Sequence, residues 1–137
     1  MNVENNKELV RGFYEAIDRE DYDAASEFLH DDFVFYFQVD SPIPGADGFV
    51  ASEKKNFDAF GDFSFRILDI LAEGDRVAAY MIFEGKHTKM PAFGIEPKGN
   101  FVRFSLCMWL TIKEGKIIEK RAHFDQSDIK SQVERYN

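Results

Sequence analysis

Four residues late in the chain, Glu119, Arg121, His123 and Asp125, have types and spacing that could do chemistry. They alternate along Ile117–Asp125, whose composition predicts a strand, so they share one face. Ile118, Ala122 and Phe124 share the other, which is apolar apart from Lys120. A polar strand face in a small, aromatic-rich domain either meets water or lines a cavity. In a cavity walled by aromatic rings, Asp125 would be desolvated, its pKa raised, and it would be a usable general base near neutrality. His123 and Arg121 pull the other way. Neighbours on one strand face lie about 7 Å apart, where a charge pair at an effective dielectric of 20 is worth about 2.4 kcal/mol. Asp125 is thus a base only if burial outweighs these cations. Otherwise it is an ion-pair partner, or His123 itself transfers the proton. In the blander alternative Asp125 ends the strand in water or caps Gln126-Ser127-Asp128, and His123 is a hydrogen-bonded strand histidine.

The neighbouring strand candidate, Phe101–Ile112, sorts in the same way. Val102, Phe104, Leu106, Met108, Leu110 and Ile112 fall on one face; Arg103, Ser105, Cys107 and Trp109 fall on the other. The second face mixes polar and aromatic groups as a cavity wall does, so Trp109 is expected beside Asp125. Tyr14 interrupts an apolar helix stripe, and its hydroxyl either finds a cavity carboxylate as partner or, as is commoner for a core tyrosine, reaches solvent. His87 either completes a polar cluster or starts a loop. Cys107 reads as an inert strand residue.

Other chemistry is excluded by pattern. HExxH, CxxC, G-x-S-x-G, P-loop and G-x-G-x-x-G motifs are all absent from the sequence. No two of the three histidines have helical ligand spacing, so no metal is expected. What remains is general acid–base chemistry, or binding alone.

The elements that must position these residues fit in one domain of 137 residues. Hydrophobic residues are 45% of the chain and aromatic residues 15%, with fifteen phenylalanines, too apolar for disorder. A net charge of −8 argues against nucleic acid or an anionic membrane as partner. Residues 1–60 hold 14 acidic and 5 basic groups and residues 61–137 hold 11 and 12, so the front of the chain is its acidic, solvated part. The polar opening Met1–Asn6 predicts no secretory leader, and a single cysteine fits the cytoplasm.

Leu9, Val10, Phe13, Tyr14 and Ile17 predict an amphipathic helix, a second follows over about 21–29, and a third over roughly 47–60 carries Phe49, Phe57 and Phe60. Phe33–Gln38 reads as a strand, and residues 40–45 as a turn-rich connection. Long strands are expected at Phe63–Glu73, Arg76–His87, Phe101–Ile112 and Ile117–Asp125, with hairpin signals at Glu73-Gly74-Asp75 and Lys113–Lys116. Helices first and an antiparallel sheet afterwards predict an α+β layout, its sheet curled into a cone that leaves a cavity under the helices.

Several segments in order resemble the SnoaL-like polyketide cyclases of the nuclear transport factor 2-like superfamily. They are residues 6–15 (NKELVRGFYE), 45–49 (GADGF), 73–78 (EGDRVA), 85–87 (GKH) with 93–99 (FGIEPKG), and 115–119 (GKIIE) leading to Phe124-Asp125. The resemblance implies a cone-shaped fold with three N-terminal helices on a curved, mainly antiparallel sheet, and a homodimer through the outer sheet face. It also implies a small-molecule ligand inside the cone, no cofactor, and a carboxylate at the end of the last strand as acid–base in an intramolecular aldol closure. Asp125 matches that carboxylate, and His87 matches a histidine frequent in the family. Tyr36 and Phe35 stand where members often carry His and Asp, Lys89 and Lys98 where Gly and Thr are frequent, Arg121 where an aromatic residue is common and His123 where an apolar one is. The expected site is therefore Asp125 with His123 as modulator, lined by Tyr14, Phe35, His87, Trp109 and Arg121. The expected activity is an aldol-type cyclase acting on a polyketide-like or cyclic ketone. The alternatives are a non-catalytic binding or dimerisation module, and an isomerase or dehydratase using Tyr14 as donor.

Overall fold

The computed structural model describes residues 2–92 and 94–135; Phe93, one residue of the resembling segments, lies outside them. In chain order the elements are α1 (Val3–Asp18), α2 (Tyr22–Ser26), β1 (Leu29–Tyr36), β2 (Pro42–Pro44), α3 (Ala46–Phe57), β3 (Phe60–Glu73), β4 (Arg76–His87), β5 (Phe101–Lys113), β6 (Lys116–Phe124) and α4 (Gln126–Glu134). The strands form one sheet in the order β2-β1-β6-β5-β4-β3. Hairpins join β3 to β4 and β5 to β6, and every pairing is antiparallel except that of β1 with β6. The expected α+β cone is the fold observed.

Its asymmetry follows from the sequence. Antiparallel strands with one packed face alternate apolar and polar residues. In β5, Val102, Met108, Leu110 and Ile112 are buried, whereas Arg103, Ser105, Cys107 and Trp109 are exposed. The apolar face therefore turns inward against α1 and α3. α1 buries Val10, Phe13, Tyr14, Ala16 and Ile17, and its Asp18 carboxylate accepts the Phe65 N–H at 2.6 Å, which ties the helix end to β3. β3 bulges where it passes β4, and a Cβ on Gly85 would meet Phe63 Cβ at 3.1 Å, a contact that β3 would have to give by a few tenths of an ångström to admit.

Two elements depart from the sequence reading. β2 forms inside the connection read as turns, pairing Pro42–Pro44 with the end of β1. α4 follows Asp125 and docks on β5. The Asn100 side-chain amide donates to the Gln132, Val133 and Arg135 carbonyls at the helix end. The Gln132 side chain accepts the Arg103 N–H and donates to the Arg103 carbonyl, imitating a strand neighbour. Among the described residues, no helix is long and apolar enough to cross a membrane.

Candidate functional site

Between α3, α4 and the inner sheet face lies a cavity of about 330 Å³, at the small end of the roughly 300–1,000 Å³ range of ligand pockets. Rings supply much of its wall: Phe35 from β1 and Phe37 just beyond it, Phe57 from α3, Phe65 from β3, Phe83 from β4, Phe104 from β5. Phe83 is their hub, lying parallel to Phe57 at 5.8 Å and Phe63 at 5.7 Å and near-parallel to Phe104 at 5.1 Å. Gln126 and Ile129 of α4 close one side.

Among the described residues, three charged ones line it: Lys55, which is exposed, and Lys120 and Glu53, which are buried in the apolar wall. Lys120 is on β6, paired with Phe35 on β1 and Leu110 on β5, so it occupies the middle of the sheet with its side chain on the inner face. That side chain is 1% exposed. Its Nζ lies 4.2 Å from the centre of the Phe35 ring and 5.1 Å from that of Phe49, a cation–π geometry. Glu53 comes from α3, where Phe49, Glu53 and Phe57 are spaced by four and form one buried stripe. The Glu53 carboxylate is 4.0 Å from Lys120 Nζ, close enough for strong Coulomb attraction and too far for a good hydrogen bond.

Burial dominates the electrostatics of both groups. Desolvation pushes the Glu53 pKa above its ordinary 4.5, with Lys120 partly offsetting it. Desolvation pulls Lys120 below its ordinary 10.5, with Glu53 partly offsetting that. The neutral acid and neutral amine are thus each favoured relative to an exposed pair. A carboxyl raised by folding binds its proton more tightly in the native state. Its contribution is present in full below pH 4.5 and is lost as pH rises through the folded value. Wild type should therefore lose stability over that interval relative to Glu53→Gln, whose amide does not titrate; urea titrations from pH 4 to 8 check this.

The residues expected to form the site are distributed differently. Asp125 is exposed and N-caps α4, accepting the Asp128 N–H at 3.1 Å. His123 is exposed on the outer sheet face, and Trp109, 41% exposed, lies on that face beneath the Arg76 guanidinium. Arg121 is on the same side, stacked on Tyr36 at 4.0 Å and bonded to Glu119 at 3.1 Å. The expected orientation of β5 and β6 is thus inverted: the mixed polar–aromatic face looks outward because the apolar face has the helices to pack against. His87 is fully buried; its Nε2 bonds the Met90 carbonyl at 2.6 Å and its Nδ1 has no partner, which makes it a loop anchor rather than part of the cavity wall. Tyr14 is buried behind the wall against Phe65, its hydroxyl unpartnered, and desolvation with the Glu53 charge pushes its pKa up. Phe35 alone of the expected set lines the cavity. Replacing Asp125 by Ala should cost about 1 kcal/mol through the lost cap, read as a shift of the urea midpoint.

The sequence reading missed Glu53 and Lys120, yet both break an apolar pattern. Lys120 is the exception on the apolar face of β6, and Glu53 stands midway between Phe49 and Phe57.

The family model for SnoaL-like polyketide cyclase matches residues 7–133. No curated protein matches the sequence. Among solved structures, a protein of Jannaschia sp. CCS1 assigned to the SnoaL-like polyketide cyclases superposes with a TM-score of 0.88 at 20% identity, over 98% of this chain and 95% of that one. AclR of Streptomyces galilaeus, assigned as a hydroxylase, gives 0.85 at 24% identity over 96% and 82%. An LEH-like epoxide hydrolase of M. tuberculosis gives 0.73 at 22% identity over 96% and 90%. At these identities the likeness establishes a shared nuclear transport factor 2-like cone and leaves the reaction to the site itself.

Proposed function

From the premise that this chain belongs to the SnoaL-like polyketide cyclase family, we propose that its cavity takes a small, mainly apolar carbonyl compound and moves a proton at the carbon beside the carbonyl. The observation that carries this reading is the Glu53–Lys120 pair set in an aromatic wall. Glu53, made more basic by burial, takes the proton from carbon. The electron pair moves onto the carbonyl oxygen, where the Lys120 ammonium meets the developing negative charge. In an aldol-type closure the enolate carbon then attacks a second carbonyl of the same molecule, and Glu53 returns the proton to the new alkoxide. The substrate's own conjugation stabilises the enolate, so the step needs no cofactor.

The test is solvent exchange at carbon. In D2O the protein should accelerate loss of the α-protons of 2-tetralone, followed by NMR, and Glu53→Gln should slow this by about 100-fold or more. Asp125→Asn should leave it unchanged. Asp125 stands between Phe124 and Gln126, which both line the cavity, so the reverse result would move the base to Asp125, with His123 as its modulator. The unpartnered Tyr14 hydroxyl favours a second reading, an isomerase in which Tyr14 donates to the substrate oxygen; it requires Tyr14→Phe to lose as much rate as Glu53→Gln. Saturable binding of an apolar dye without any exchange would leave a binding protein.

The reading includes a cytoplasmic homodimer meeting through the outer sheet face, where Leu71, Tyr80 and Trp109 are exposed. A monomer mass in sedimentation equilibrium at micromolar concentration would remove the dimer.

A further inference from the structure

We infer that Lys120 captures the carbonyl of an aldehyde or ketone covalently, as an imine on its Nζ. The inference rests on the proposed carbonyl ligand and on Glu53 as its base, and it replaces the ammonium contact of Lys120 with a covalent bond. Of the ten lysines, Lys120 is buried and the other nine are exposed or half-buried. Its amine lies in the cavity wall, which the exposed Lys55 also lines, so what reaches Lys120 is a molecule that has entered the cavity. The surroundings are poor for a permanent ammonium. Two ring faces and one carboxylate at 4.0 Å leave its three donors without a close acceptor from the pair. Apolar surroundings that favour the neutral amine are those in which a lysine becomes a nucleophile. Glu53 is placed to hold the proton that the amine gives up.

The step balances with these two residues alone. Proton transfer from Lys120 to Glu53 yields a neutral amine and a carboxylic acid. The nitrogen lone pair attacks the carbonyl carbon, the C=O π pair moves to oxygen, and that oxygen takes the Glu53 proton. Glu53 recovers a proton from the nitrogen and gives it to the new hydroxyl. The C–O bond breaks, water leaves, and the nitrogen lone pair closes the C=N bond of an iminium beside the Glu53 carboxylate. No oxidant or further reactant enters. The iminium draws electrons from the adjacent carbon more strongly than a carbonyl does, so the same carboxylate then removes the α-proton more readily. This limits the substrate to compounds whose carbonyl is unhindered and whose apolar body fits about 330 Å³.

The test uses the full chain, 2-naphthaldehyde as probe, and sodium cyanoborohydride to reduce any imine to a stable amine, read by intact mass and peptide mapping. One adduct on Lys120, formed well before labelling of the exposed lysines, is the expected result. Lys120→Arg should abolish that adduct, and Glu53→Gln should slow it about 100-fold. Lys120→Met, which keeps bulk without charge, serves if the arginine variant does not fold. Displacement of an apolar solvatochromic dye by 2-naphthaldehyde, measured in parallel, separates the two failures. Displacement without a Lys120 adduct overturns the imine and leaves the carbonyl-binding reading standing. Absence of saturable dye binding overturns both. Adducts spread over the exposed lysines at a rate that Lys120→Met does not change also overturn the imine.

Discussion

Glu53→Leu should destabilise the fold by about 3–5 kcal/mol at pH 7, because it leaves the Lys120 charge buried without its partner. Lys120 has one escape, which is to lose its proton. For an ordinary lysine of pKa about 10.4, neutralisation at pH 7 costs about 4.6 kcal/mol at 1.36 kcal/mol per unit. The escape route and the cost of breaking a buried pair therefore agree in size, and neither leaves the variant much worse than this. The deficit should shrink as pH rises towards 10, since a neutral amine then costs less to form in the unfolded chain as well. Removing both charges, as Glu53→Leu with Lys120→Met, should restore wild-type stability or exceed it by about 1–4 kcal/mol, because the desolvation of two ions is relieved at once. Urea titrations of the wild type, both single variants and the double variant at pH 7 and 9.5 complete the cycle. A single-variant loss below about 0.5 kcal/mol, the scatter of ordinary surface changes, would mean that the pair is not buried as described. A double variant that is more stable yet inert would also show that the pair is kept for function.

Phe83→Ala should be comparably severe, with a loss of about 3–5 kcal/mol. Phe83 is 3% exposed and its ring touches five others, three of them stacked (Phe57, Phe63 and Phe104) and two edge-on (Phe60 and Phe65). Aromatic contacts add about 0.5–1.5 kcal/mol each beyond area burial, so the cost falls towards the upper part of that range. The rings come from α3, β3, β4 and β5, and no single element can move in to fill the gap. The void would therefore join the existing cavity, and a larger apolar dye should bind the variant than binds wild type. Phe101→Ala on the exposed side of β5 is the control and should stay within about 0.5 kcal/mol. A Phe83→Ala loss below about 1.5 kcal/mol would show that the wall relaxes freely and is not a fixed template.

The elements were legible where pattern and turn chemistry agree. The Leu9–Ile17 stripe, the glycine hairpins and the period-two strands locate α1 and β3 to β6 within a few residues. α4 and β2 were not: β2 is three residues, with proline at both ends, paired with the end of β1, and α4 is held by Asn100 and the Arg103 backbone, distant in sequence. The facing of β5 and β6 was misread for one physical reason. Polar groups were taken to mark a cavity wall, but a sheet covered on one side by helices turns its apolar face inward, and its cavity inherits that face. The informative residues were the misfits, Lys120 among Ile118, Ala122 and Phe124, and Glu53 between two phenylalanines. A charge that breaks an otherwise consistent pattern is costly, so it marks a place where something other than stability is served.

The parallel pairing of β1 with β6 also governs when the protein becomes itself during synthesis. Val34 pairs with Glu119, about 85 residues later. At roughly 5–20 residues per second, translation leaves β1 without that neighbour for about 4–17 s. Over that interval Phe33 and Phe35 have no sheet to lie on, and the wall of the cone is open along its middle. Lys120 arrives with β6 itself, between strands made first and strands made just before it. The chamber therefore exists only once nearly all of the described chain has emerged, and a growing chain exposes the rings that will line it.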